Sequence, residues 1–188
     1  FNKSGKLRII SGKYKGRRLK PPYLAPTRPT TDFARESLFN ILANNWEFDE
    51  LKVLDLFAGT GAHSFEFASR GCAEVMAIDN YAPAINFIKA TAEQLDEPAV
   101  MAMKMDVQQF LKTANGKYDI IFADPPYEME GVEKLADDIL NKQLLAPGGW
   151  LIIEHSIAVS FDEHPNCFHS RKYGTTIFSI FRTEQTEA

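Results

Sequence analysis

Residues 118–131 read YDIIFADPPYEMEG. Ile120, Ile121 and Phe122 form an apolar run of the kind buried on both faces of a parallel sheet. The run then turns into Asp124-Pro125-Pro126-Tyr127, although a single glycine or proline would end a strand. An acid, two rigid residues and an aromatic ring suit the handling of a planar exocyclic amine. The lone pair of such an amine is delocalised into its ring, so a catalyst must accept hydrogen bonds from the amine protons and concentrate density on nitrogen. The Asp124 carboxylate and the Pro125 carbonyl are both acceptors. Pro125 and Pro126 have fixed φ and no N–H, so they stiffen the corner without adding a competing donor. Acceptors aimed in advance stabilise developing charge with little reorganisation. Tyr127 offers a flat face on which a base can stack, worth ~1–3 kcal/mol. The target nucleotide must then lie in a loop or leave its helix.

A second cluster lies upstream. Asp55-Leu56-Phe57-Ala58-Gly59-Thr60-Gly61 is a glycine-rich turn after an apolar strand. Glycines there let the backbone approach a bound molecule closely and turn sharply into a helix. A dinucleotide fingerprint would need glycine at position 64, which is Ser64. Asp55 suits a cationic amino-acid moiety, directly or through water, which a pyrophosphate lacks. Asp79 falls 20 residues after Gly59 and ends the second strand, where ribose hydroxyls are natural partners for a carboxylate. Asp106 ends the third strand and either accepts from an adenine amino group or simply caps the following helix. An ammonium, a ribose and an adenine without phosphates describe S-adenosylmethionine. The candidate cofactor residues are Asp55, Phe57, Ala58, Gly59, Thr60, Gly61, Asp79 with Asn80, and Asp106 with Val107.

Both clusters depend on elements that must bring them together. "KVLDLFAG", "AEVMAIDN", "AVMAMKMD", "YDIIFADPPY" and "GWLIIEHS" read as five strands, the last following a turn at Pro147-Gly148-Gly149. Between them "AHSFEFASRG", "APAINFIKATAEQL", "VQQFLKTANG" and "VEKLADDILNKQLL" read as helices, the first stopped by Gly71 and the second with Pro83 in its first turn. Strict strand–helix alternation predicts a parallel sheet with helices on both faces. "FHSRKYGTTIFSIFR" lacks an intervening helix and predicts an antiparallel hairpin at the sheet edge. Upstream, a helix starts at Thr31 or Asp32, with Ala34, Leu38, Ile41 and Leu42 on one face. "LRIISGKYKGRRLKPPYLAPTRPTT" predicts one or two short strands, then an extended connection enforced by Pro21, Pro22, Pro26 and Pro29. Glu154 and His155, after the fifth strand, either border the base pocket or help to close the sheet.

The chain has 188 residues, 45% hydrophobic and 24% charged, and suits one globular unit with a sizeable core. No apolar run approaches the ~20 residues of a membrane span, and Phe1-Asn2-Lys3-Ser4 does not read as a signal peptide. Cys72 and Cys167 give neither a metal spacing nor a disulfide framework, which suits a reducing cytoplasm. The net charge of −4 conceals a split: up to Glu36, ten Lys/Arg face two acids, leaving +8 there and −12 on the remainder. A basic arm on an acidic body suggests a polyanion docking at one end. Its candidate contacts are Arg8, Lys13, Lys15, Arg17, Arg18, Lys20, Arg28 and Arg35. A solvated tail is the alternative.

"RIISGKYKGRRL", "RPTTDFARESLFNIL", "VLDLFAGTGA", "FADPPY", "IIEHS" and "RKYGTTIFSIFR" together resemble the bacterial 16S ribosomal RNA guanine-N2 methyltransferase family along nearly the whole chain. The DPPY corner alone marks amine methylation; the arm and "RPTTD" segments are much more specific. The resemblance implies an α/β fold: a Rossmann-like class I methyltransferase sheet of seven strands, the last antiparallel, flanked by helices. Residues 1–30 would form a basic β-hairpin extension for RNA docking and residues 31–188 the methyltransferase domain. It further implies S-adenosylmethionine as donor, small-subunit RNA or its particle as partner, no metal, and a monomer in the cytoplasm. Asp124, Pro125, Pro126 and Tyr127 would carry catalysis. One departure is His63-Ser64, where the family is expected to place an aliphatic and a small residue. A DNA adenine or cytosine methyltransferase would share the corner but need a recognition insertion for which there is no room. A protein-glutamine methyltransferase would carry Asn-Pro-Pro-Tyr and need no basic arm. A non-catalytic RNA-binding assembly factor need not keep Asp124, Pro125 and Tyr127.

Overall fold

A computed structural model describes residues 7–22 and 30–183. The basic arm forms a two-residue antiparallel ladder, β1 (Leu7–Arg8) with β2 (Arg18–Leu19). Helix α1 (Asp32–Ala43) is capped by Thr31, whose hydroxyl accepts from the Ala34 amide. The alternating region follows as β3 (Lys52–Leu56), α2 (Ala62–Ser69), β4 (Glu74–Asp79), α3 (Ala82–Leu95), β5 (Val100–Lys104), α4 (Val107–Thr113), β6 (Tyr118–Ala123), α5 (Val132–Leu140) and β7 (Leu145–His155). Strands β8 (Cys167–Tyr173) and β9 (Thr176–Phe181) close the chain as the expected hairpin.

Seven strands form one sheet in the order β5-β4-β3-β6-β7-β9-β8. The five from β3 to β7 pair in parallel, and β9 runs against β7 and β8. From β3 the chain winds outward to β4 and β5, then returns to the other side of β3 with β6 and β7. The carboxyl ends of β3 and β6 therefore flank the switch in strand order, where open sheets of this kind bind ligands.

Side-chain alternation divides the core between the two faces. Val53, Ile120, Phe122, Ile152, Phe178 and Ile180 pack on one side, with α1 and α2 residues such as Leu38, Phe39 and Phe65. Leu54, Leu56, Ile121, Leu151 and Ile153 pack on the other, with Leu135 and Ile139 of α5. The same alternation puts Asp55, Asp124 and Glu154 in step with Val53, Phe122 and Ile152, on the α1–α2 side. Among the described residues no helix is long and apolar enough to cross a membrane.

Two boundaries differ from the sequence reading. Helix α5 stops at Leu140, and Leu145 already belongs to β7. Pro147-Gly148-Gly149 is not a turn before that strand but lies inside it, where the pairing with β6 shifts register between Tyr118 and Ile120. The bulge brings backbone so close that a Cβ on Gly149 would stand 2.9 Å from the Ala146 carbonyl oxygen and 3.0 Å from that of Asp119.

The arm is bound to the body rather than trailing from it. Ile9 and Leu19 are buried in the α1–α2 core. The buried Glu66 carboxylate of α2 accepts from the Ile10 amide at 2.7 Å and the Ser11 amide at 3.0 Å. Gly12, at φ +78°, lies so near α2 that a Cβ would fall 1.8 Å from the Ser69 carbonyl oxygen, which accepts from Lys13 N–H.

Candidate active site

The glycine-rich turn leaves β3 and enters α2 through a backbone that few side chains tolerate. Phe57, Gly59 and Gly61 all have positive φ, at 60°, 53° and 73°. A left-handed phenylalanine is uncommon, and such strain gathers where a loop is shaped for a ligand. A Cβ on Gly61 would press against Ile88 at 2.9 Å, so this glycine seats α2 on α3. A Cβ on Gly59 would meet nothing nearer than the Phe57 carbonyl oxygen at 3.9 Å, which leaves the outer side of the turn open.

Three acids hold this corner. Asp79 accepts from Gly59 N–H through Oδ2 and from Tyr81 N–H through Oδ1, both at 2.8 Å, so it ties the turn to the end of β4. Asp106 caps α4 by accepting from Gln109 N–H at 3.1 Å. Of the two roles open to it in sequence, capping is the one the geometry displays. Asp55 is 1% exposed, and its Oδ2 accepts from the Ser64 hydroxyl at 2.5 Å. Burial pushes its carboxyl up to about 7, opposed by the Ser64 hydrogen bond and aided by the charge of Asp79. The unexpected pair His63-Ser64 thus has local work: Ser64 holds Asp55, and the buried His63 ring stacks on Phe122 at 4.0 Å between centroids.

Strand β6 delivers the second cluster to the same place. Its Leu56–Ala123 pairing with β3 continues in a hydrogen bond from Asp124 N–H to the Leu56 carbonyl at 3.3 Å. Asp124, Pro125, Pro126 and Tyr127 line one pocket with Glu154, His155 and Ser156 from the end of β7. Val132 and Val159 complete its wall. Tyr127 is half exposed at the rim. Burial raises the Asp124 carboxyl well above the usual range, with the charges of Glu154 and then Asp55 adding to it. Burial likewise lifts Glu154 to about 7, against hydroxyls of Thr30 and Thr176 and the charge of Arg35. Glu154 is 3% exposed and accepts from Thr30 at 2.6 Å. It borders the pocket, and sequence reading left it equally suited to closing the sheet; its position directly after an apolar strand was the only signal.

The cations of the arm divide. Lys15, Arg17, Arg18 and Lys20 are exposed. Arg8 pairs with Asp32 at 3.1 Å and Lys13 with Glu97 at 2.6 Å. Arg28 lies outside the described residues, as do Pro26 and Pro29. Arg35 corrects its expected place among the phosphate contacts. It is 2% exposed and donates through Nη2 to the Arg8 carbonyl and to Asp32, so its guanidinium braces α1 against the arm and faces no solvent.

The family described as conserved hypothetical protein 95 matches residues 7–182. A ribosomal RNA small subunit methyltransferase D of Escherichia coli strain K12 is 36% identical over 157 residues, covering 83% of this chain and 75% of that one. A hypothetical protein of Thermus thermophilus superposes with a TM-score of 0.82 at 27% identity, over 94% of this chain and 99% of that one. The sheet also recurs in a precorrin-6y C5,15-methyltransferase of Geobacter metallireducens GS-15, with a TM-score of 0.66 over 86% of this chain and 92% of that one. At 14% identity that last likeness concerns the fold alone, which is the class I methyltransferase sheet.

Proposed function

The chain belongs to the conserved hypothetical protein 95 family, and from that premise we propose that it transfers a methyl group from S-adenosylmethionine to the N2 amine of a guanine in 16S ribosomal RNA. One observation carries the reading. The acceptor corner beginning at Asp124 is hydrogen-bonded to the last residue of β3, Leu56, which leads into the open glycine turn. An amine held at that corner would therefore face a donor held at the turn.

The residues present fit that donor. The open side of Gly59 gives room for close approach, Asp79 at the end of β4 would accept from ribose, and Asp106 would accept from adenine in addition to capping α4. Phe57, Ala58, Thr60, Gly61, Asn80 and Val107 would complete the wall, and the buried Asp55 would balance an ammonium. When bound, S-adenosylmethionine supplies an electrophilic methyl group on a sulfonium sulfur. The chain's own part is to orient and polarise the amine. Asp124 and the Pro125 carbonyl accept from the amine protons, Pro126 holds the corner stiff, and Tyr127 stacks on the base. Transfer leaves nitrogen with one proton too many, and the carboxylate at Asp124 is placed to take it. Residues 1–30 serve as the docking extension, with phosphates on Lys15, Arg17, Arg18 and Lys20, and residues 31–188 as the transferase, acting as a cytoplasmic monomer on the small-subunit particle.

The test combines the protein with methyl-labelled donor and small-subunit particles that lack the modification, followed by digestion of the RNA to nucleosides. N2-methylguanosine is the expected product; label in any other nucleoside, or in protein, would overturn the reading. Asp124→Ala should slow transfer by ~100-fold or more while leaving donor affinity nearly unchanged, because it acts on the transition state. Asp124→Asn should keep part of the rate, since its amide oxygen still accepts.

A further inference from the structure

We infer that Glu154 selects guanine among the amine-bearing bases by accepting a hydrogen bond from ring N1–H, beside the Asp124 carboxylate that accepts from the N2 amine. The inference rests on the methyl-transfer reading above and names the residue that makes it specific.

The geometry starts from strand register. Ala123 of β6 pairs with Ile153 of β7, so Asp124 and Glu154 are the next residues on adjacent parallel strands and lie on the same face. Neighbouring strands run about 4.8 Å apart, and both side chains line the one pocket. Glu154 is held there rather than free to swing: Thr30 donates to Oε2 at 2.6 Å and Thr176 reaches Oε1 at 3.5 Å. A carboxylate has about four acceptor positions, so two hydroxyls leave capacity facing the pocket. His155, the other titratable side chain from the end of β7, is committed elsewhere: Nδ1 lies 2.9 Å from the Ser156 carbonyl oxygen and Nε2 lies 2.8 Å from the Ser179 hydroxyl. Two buried acceptors side by side thus suit two adjacent donors. Burial raises the carboxyls of both Asp124 and Glu154, and a donor on each would relieve that cost.

Base chemistry supplies one match. On its pairing edge guanine presents N1–H next to the N2 amine, two donors in a row. Adenine and cytosine place an unprotonated ring nitrogen next to their amine, and above about pH 7, where Glu154 is ionised, its lone pair would meet the carboxylate in repulsion. A site built to pair a donor rejects an analogue lacking it far more strongly than an apolar pocket rejects a changed shape. Acceptance at N1 also pushes electron density toward the amine that must attack.

The experiment uses small-subunit particles rebuilt with RNA carrying either guanine or 2-aminopurine at the position the wild-type protein methylates. 2-Aminopurine keeps the N2 amine but has no proton on N1. Wild type should prefer guanine in kcat/KM by ~10–100-fold, the discrimination of one well-placed base contact. Glu154→Gln presents an N–H to N1, so its preference should collapse toward equality or invert, with donor affinity near wild type and a melting temperature no lower than wild type. Both proteins meet the same two templates, so the missing O6 of 2-aminopurine cancels in the comparison. Equal use of the two templates by wild type would overturn the inference, and so would an unchanged preference in Glu154→Gln. If the variant does not fold, wild type still tests the inference, because its equal use of guanine and 2-aminopurine would overturn it. Failure of the methyl-transfer reading is a different result: wild type would then place no methyl on any guanine amine, and both conclusions would fall together.

Discussion

The Ser64 hydroxyl and the Asp55 carboxylate meet at 2.5 Å where Asp55 is 1% exposed. A buried carboxyl with one hydroxyl partner pays for its charge, and its pKa of about 7 measures that cost against an ordinary 3.8. Between those two values the folded chain keeps a proton that the unfolded chain has lost, so stability falls as pH rises through this window. On the alkaline side the cost reaches at most about 4 kcal/mol. Asp55→Asn carries no charge, and its amide oxygen still accepts from Ser64. The variant should melt higher than wild type above this window and match it below, while its donor affinity drops through loss of the carboxylate. Melting curves across pH check this; a gap independent of pH would mean that Asp55 is not the titrating group.

At the scale of elements, the arm and α2 act as one piece. Glu66 and Ser69 on α2 bind the backbone from Ile10 to Tyr14, and the same helix starts in the glycine turn. This leaves Arg17, Arg18 and Lys20 exposed on a rigid support, beyond the turn at Gly16. Lysine and arginine side chains that bind phosphate release counterions, and the salt slope of affinity falls by ~0.7–0.9 for each phosphate-binding cation removed. Changing all three to alanine should weaken binding of the small-subunit substrate, flatten its salt dependence and leave donor affinity unchanged. Such cations position more than they specify, so the same nucleotide should be modified, only more slowly at limiting substrate. Substrate titrations at several salt concentrations decide; coincident slopes would move RNA docking elsewhere, to Arg171 and Lys172 on β8 as the next exposed pair.

Across the whole molecule, the arm shares the core of the transferase. Ile9 and Leu19 are 2% and 8% exposed within the α1–α2 cluster, and burying each is worth ~1.5–3 kcal/mol. Removing residues 1–20 should therefore lower the melting temperature as well as abolish RNA docking, and an unchanged melting curve would show the arm to be an appendage. The strand–helix alternation, the antiparallel hairpin, the start of α1 at Thr31 or Asp32 and the DPPY and glycine corners were all legible in the sequence, because each depends on short-range periodicity or on residue types suited to one local geometry. The end of α5 and the bulge at Gly149 were not, because proline and glycine mark a turn and a bulge alike until the partner strand is known. Arg35 read as a surface cation because charge says nothing of burial; only the packing of the arm over α1 turned it inward. Glu154 became part of the pocket through pairing across strands about 30 residues apart, of the kind that periodicity cannot reveal. The sequence by itself pointed to a methyltransferase and to the order of strands and helices that builds its sheet. Tertiary structure alone decided which carboxyls stand side by side, since register between β6 and β7 is set by packing over long range.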